Sequence, residues 1–180
     1  MSLLIKDPEV LGLDLSLTCT GMAGRGWTEG LTPPSGVTGC DRLKWIRERV
    51  QTAVIAADLV VIEGPAYGKQ AGQSGHHERA GLWWVIRCMI EEWCKPVAVV
   101  PPTVLKKYAT GKGVADKAAV VREVTRRFPV FAGGSDEADA WVMAAMGADW
   151  LGHPYVQMPA SHRAALQSCS WPVPEGSAAR

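Results

Sequence analysis

Four carboxylates occupy positions where an apolar chain seldom leaves a charge unless the charge is used. Asp14 ends the apolar run Val10–Asp14, and Glu63 ends the run Asp58-Leu-Val-Val-Ile-Glu63 just before Gly64-Pro65. Asp136 and Asp139 stand three residues apart where Ser135 opens a last helix. Side chains at i and i+3 leave a helix on one face, so these two aspartates are expected to point at one spot from the first helical turn, with Glu137 turned away. Carboxylates that converge in a poorly hydrated place repel one another by kilocalories unless a cation joins them. An all-oxygen set without His or Cys suits Mg²⁺, with Mn²⁺ able to substitute. Two such ions about 4 Å apart activate water and stabilise the leaving oxygen of a phosphodiester. Each acid alone has an ordinary explanation, whether a turn, a buried ion pair or a helix-start charge; it is the set of four in this order that points to metal chemistry.

Bases accompany the acids. Between Lys106 and Arg127 seven basic residues face only Asp116 and Glu123, whereas the chain from Pro129 onward is acidic, although the whole carries a net charge of only +1. Cations to hold phosphate beside carboxylates to hold metal are what phosphodiester cleavage requires, although two solvated helix faces would produce the same pattern. Lys117 falls near an expected helix start, where a cation is mildly unfavourable, so an anionic partner explains it better than helix stability. Lys106 and Lys117 are the clearest phosphate contacts; Lys107, Lys112, Arg122, Arg126 and Arg127 are weaker candidates, because exposed bases at helical spacing are common on any surface. The Gly-, Gln- and Ser-rich stretch from Tyr67 to His77 reads as a mobile loop, with Lys69 placed to meet phosphate and Tyr67 to stack on an unpaired base. Arg79, just beyond it, is grouped with these nucleic-acid contacts. His76-His77 reads as an ordinary polar pair that the acidic set does not need.

These side chains need a scaffold of strands and helices. The apolar runs Val10–Asp14 and Thr20–Ala23, with a turn at Gly24-Arg25-Gly26, predict antiparallel opening strands. Leu43, Ile46, Val50 and Val54 recur at helical spacing. Asp58–Glu63 has the unbroken apolar character of a strand covered on both faces, and Val97–Val100 repeats it. Leu82 through Trp93 make a helical stripe, Ala115–Phe128 a further helix, and Ser135–Trp150 the last. Trp93 is assigned to the core stripe and Trp141 to packing beside the last helix; Trp83 and Trp84 are adjacent, so one of them is left for a subunit contact. With 180 residues, 47% of them apolar, the chain suits a single domain over 1–170, followed by a loose tail over 171–180. No apolar stretch is long enough to span a bilayer, and five cysteines without a Cys-x-x-Cys pair argue against a disulfide framework or zinc site, so a soluble cytoplasmic protein is expected.

Taken together the motifs resemble those of the RuvC family of Holliday-junction resolvases, including its phage-encoded members. Val10-Leu-Gly-Leu-Asp14-Leu-Ser16 with Thr20-Gly21 is similar to the opening motif, and Val61-Ile-Glu63 to the second acidic motif. Val104-Leu-Lys106, Gly111 and Ala115-Asp-Lys117 resemble the basic stretch, and Asp136-Glu-Ala-Asp139-Ala-Trp141 resembles the terminal acidic helix. The resemblance implies an α/β, ribonuclease H-like fold: a mixed central sheet with antiparallel opening strands, flanked by helices. It also implies a homodimer cutting branched DNA by Mg²⁺-dependent hydrolysis, with Asp14, Glu63, Asp136 and Asp139 as ligands and Lys117 catalytic. Two positions depart from the family pattern: Leu15-Ser16 follows the first aspartate, and the aromatic after Glu63 is Tyr67, with Ala66 where the family commonly has its aromatic. Rival readings are a nuclease of the same fold acting on RNA, RNA/DNA hybrids or flaps, and a non-catalytic branched-DNA-binding module. An actin-like kinase would need a longer chain and a second glycine-rich nucleotide motif.

Overall fold

The structure, a computed structural model, describes residues 6–64 and 75–172. The apolar runs pair into one five-stranded sheet in the order β3-β2-β1-β4-β5. β1 (Val10–Asp14), β2 (Thr20–Gly24) and β3 (Trp27–Leu31) form an antiparallel meander, and β4 (Leu59–Glu63) and β5 (Val97–Val100) add parallel to β1. Parallel neighbours need crossover connections. They are supplied by α1 (Gly39–Ala56), leading into β4, and α2 (His76–Glu92), leading into β5.

Side-chain alternation along the strands divides the core in two. Leu11, Leu13, Val60 and Ile62 face α1 and α2, where Ile46, Val50, Leu82 and Ile86 meet them. Val10, Leu59, Val61 and Val100 face α3 (Pro102–Thr110), α4 (Lys117–Arg127) and α5 (Ser135–Trp150). The double coverage of β4 is what its unbroken apolar run predicts.

The contact between α5 and the sheet is backbone on backbone. A Cβ on Gly12 would lie 2.0 Å from the Ala140 carbonyl oxygen, and one on Gly21 would lie 2.1 Å from the Asp136 carbonyl oxygen. Glycine at these two strand positions lets the helix settle directly on β1 and β2. Asp136 is thereby brought down beside the strand that carries Asp14.

Several elements differ from expectation. Residues Pro102–Thr110, read from sequence only as a basic stretch, form α3, with Pro102 at its first position, where proline's missing N–H costs nothing. α4 begins at Lys117 rather than Ala115, because the Asp116 carboxylate accepts the Ala119 N–H at 2.7 Å and fixes the cap there. His76 and His77 belong to the first turn of α2, not to a loop. Trp93 leaves the core stripe: the helix stops at Glu92, Cys94 takes φ 50°, and the indole is 44% exposed. Trp141 is buried and stacked on Phe128, as expected.

After α5 the chain returns across the helical face. α6 (Ala160–Arg163) and a 3₁₀ turn (Ala164–Ser168) pack on α3, Ser170 bridges Val99 at the outer edge of β5, and Trp171 stacks on Trp150 with ring centroids 5.1 Å apart. Buried Asp149 ties this segment down, accepting from the Tyr108 hydroxyl at 3.1 Å and from Arg163 at 2.9–3.0 Å.

Candidate functional site

Sheet register places the first two acids. Leu13 pairs with Ile62 across the parallel β1–β4 ladder, so Asp14 and Glu63 are the next residues of adjacent strands at the same end of the sheet. By alternation both leave on the face that carries α5. Neighbouring strands run about 4.8 Å apart, which puts the two carboxyls within strong mutual influence. The loop after Asp14 is held by Thr20, fully buried, whose hydroxyl donates to the Ser16 carbonyl at 2.8 Å and accepts the Ser16 N–H at 3.2 Å. The end of β4 is held by Trp83, whose indole N–H donates to the Glu63 carbonyl at 2.9 Å.

α5 supplies the other two. Asp136 lies in its first turn; Asp139, one turn further along, is not in the first turn as expected, although the i, i+3 relation still sets both on one face. Glu137 points away and accepts the Gly134 N–H at 3.0 Å, stabilising the helix start rather than joining the acids.

The electrostatics show how closely the set interacts. Burial pushes Asp14 up to about 8, with Glu63, Asp139 and Asp136 adding repulsion and Lys117 opposing it. Burial raises Glu63 to about 7, with Asp139 adding to the effect and Lys117 and Lys106 working against it. Asp139 rises to about 6, again mainly by burial, with Asp136 adding to it and Lys117 and Lys106 opposing. Lys117 is itself raised: burial works against its charge, but Asp136, Asp14 and Asp139 outweigh it. Its ammonium lies 3.5 Å from Asp136 Oδ1.

Among the described residues, no three acidic, histidine or cysteine side chains stand at the spacing of a closed metal cage. The donor chemistry nonetheless fits a hard divalent cation. Three partly buried carboxylates are pushed toward the neutral form by one another and by burial, and a cation would return all of them to the charged form.

The remaining expected contacts spread outward. Lys106, on α3, acts electrostatically on Glu63 and Asp139. Lys107 and Lys112 are exposed at the end of α3 and in the loop after it, and Arg79 is exposed on α2. Tyr67 and Lys69 lie outside the described residues. Thr20, Trp83 and Gly21 support the acids and were not singled out for it from sequence. A Thr and the Gly that follows it in a strand, and a Trp in a helix, carry no mark of what they will touch.

The strand order, the mixed directions and the two helical layers define an α/β fold of the ribonuclease H-like class. Among solved structures the chain is similar to RuvC of Thermus thermophilus, with a TM-score of 0.63 and 20% identity over 81% of this chain and 97% of that one. It is similar also to T. thermophilus RuvC in complex with a Holliday junction substrate, with a TM-score of 0.66 at the same identity and coverage. The fold is therefore RuvC-like. No protein-family model matches the sequence, and no curated protein matches it.

Proposed function

We propose that this chain is a Mg²⁺-dependent endonuclease that resolves Holliday junctions and related branched DNA by paired hydrolytic nicks, working as a homodimer of one nuclease domain over 1–170. The observation that carries the reading is the convergence of Asp14, Glu63, Asp136 and Asp139 from two strand ends and one helix start, with Lys117 and Lys106 beside them. Branched DNA enters as the substrate because the similar Thermus protein has been solved on a Holliday junction. Free cysteines and the absence of a membrane-spanning helix among the described residues accord with a cytoplasmic setting.

The four carboxylates would hold the metal, as two ions per site in the manner of paired-ion nucleases, and their hard oxygens would select Mg²⁺, with Mn²⁺ substituting. When bound, such ions supply polarisation of the phosphodiester and acidification of the attacking water. The chain's own residues do the rest. Asp14 and Glu63, fixed by Thr20 and Trp83, present preoriented acceptors whose protons must leave before the site is competent. Lys117, kept protonated by its acidic neighbours, and Lys106 neutralise charge on the phosphate and orient it. Water displaces one ester oxygen at phosphorus, and the broken strand keeps ends that a ligase can rejoin.

Incubating the protein and Mg²⁺ with a synthetic four-way junction, a linear duplex, a flap and an RNA/DNA hybrid tests the proposal. Paired symmetric nicks confined to the junction are expected. Cutting of only the hybrid or flap transfers the function to another nuclease of this fold, and binding without cutting makes the chain a branched-DNA-binding module.

A further inference from the structure

The most exposed large apolar side chain among the described residues is Val114, at 93%. It does not sit on a loose segment. Gly111 ends α3 with φ +80°, and the Thr110 hydroxyl donates to the Lys106 carbonyl at 2.8 Å while accepting the Lys112 N–H at 3.1 Å. The Ala115 N–H then donates to the Lys112 carbonyl at 3.3 Å, closing a tight turn with Val114 at its corner. Only Ala115 and Asp116 separate this corner from Lys117. A rigid turn thus presents an apolar tip to solvent next to the acidic site.

The charges around the tip indicate what covers it. Val114 borders a groove of about 380 Å³ that also takes in Thr110, Lys112, Asp116, Arg122 and Glu123. Both acids are already engaged: Asp116 caps α4, and Glu123 is paired with Arg126 and Arg127. Among the described residues, Lys112 and Arg122 make no ion pair. An apolar tip between two uncompensated cations is complementary to nucleic acid, where phosphates alternate with the apolar faces of sugar and base.

We infer that the turn Lys112–Ala115 is a branch-reading contact: Lys112 and Arg122 hold the backbone of the substrate strand beyond Lys117, and Val114 packs against a base left unstacked at the branch. In an intact duplex the bases are stacked and offer no such face, so Val114 favours branched over linear DNA. The inference rests on the nuclease reading above and names a residue that sets its substrate choice.

The test is binding in EDTA, where no strand is cut, to a four-way junction carrying 2-aminopurine at the branch and to a linear duplex of the same sequence. The wild type is expected to prefer the junction and to raise its fluorescence. Val114→Ser should weaken junction binding roughly five- to tenfold, leave duplex binding unchanged and abolish the fluorescence rise, and Val114→Leu should restore both. Arg122→Gln should weaken both DNAs alike and lower the salt slope by about 1. Equal junction binding by Val114→Ser and wild type overturns the inference alone, as does an equal loss on both DNAs. A wild type with no preference for the junction overturns the branched-DNA reading and this inference with it.

Discussion

Asp14 shows what single residues contribute and what they cost. Its folded-state value of about 8 lies far above the ordinary 3.8, and Glu63 and Asp139 are raised in the same direction. An acid with a raised value binds its proton more tightly folded than unfolded. Its contribution to stability is fully present below the unfolded value, near 4, and is lost as the pH rises through the folded value, near 8. Metal-free protein should therefore melt lower at pH 8.5 than at pH 5.5, and Mg²⁺ should raise the melting temperature more at the higher pH, where the carboxyls are free to bind it. Asp14→Asn removes the largest of these losses. Calorimetry in EDTA should show a smaller drop between the two pH values for this variant, by roughly 3 °C or more, while junction cleavage disappears. An unchanged drop would mean that Asp14 is not the most strongly raised acid of the set. Lys117→Gln, which deletes the counter-charge, should lower the cleavage rate by about 100-fold, well beyond the modest loss of junction affinity expected from one phosphate contact. The acids were legible in the sequence because a carboxylate at the end of an apolar run is conspicuous. Thr20 and Trp83 were not, because hydrogen bonds to the Ser16 and Glu63 backbones depend on tertiary placement.

The elements decide whether those residues meet. α5 comes down on β1 and β2 only because Gly12 and Gly21 carry no side chain. Gly21→Ala places a methyl 2.1 Å from the Asp136 carbonyl oxygen, against backbone that cannot rotate away. The first turn of α5 must lift, at a cost of about 1–3 kcal/mol. Denaturant unfolding of Gly21→Ala should show that loss, and cleavage should fall well beyond it because Asp136 moves from its partners; an active Gly21→Ala enzyme would show that the close approach does not position the site. Strands and long helices were readable from periodicity, and β4 most clearly. α3 was missed because Pro101-Pro102 reads as a stop after a strand, whereas Pro102 in fact opens a nine-residue helix. Trp93 was misplaced because a helical stripe continued on paper past the residue where the chain turns out of the helix.

At the scale of the whole molecule, paired nicks on a four-way junction need two acidic sites held in one assembly. Two-fold symmetry provides them when the same patch of each copy meets its counterpart. α2 offers such a patch: Trp83 packs inward toward β4, while Trp84 is 61% exposed and meets Trp83 edge to face at 5.0 Å. A tryptophan contact can bury about 150–250 Å², on the order of several kcal/mol of apolar transfer, so an indole left in water is a strong candidate for a subunit contact. Trp84→Glu sets a charge at that contact and replaces none of the acidic residues; its link to the site is the edge-to-face contact with Trp83, so the variant's cleavage of a single strand is measured beside its sedimentation. Sedimentation velocity at micromolar concentration should show a dimer for the wild type and a monomer for Trp84→Glu. On a junction in a plasmid, the monomer should release singly nicked molecules before resolved ones, since its two cuts become separate encounters, whereas the dimer should make both within one. A wild-type monomer that still delivers paired nicks would break the link between symmetry and resolution and place both cuts on one copy.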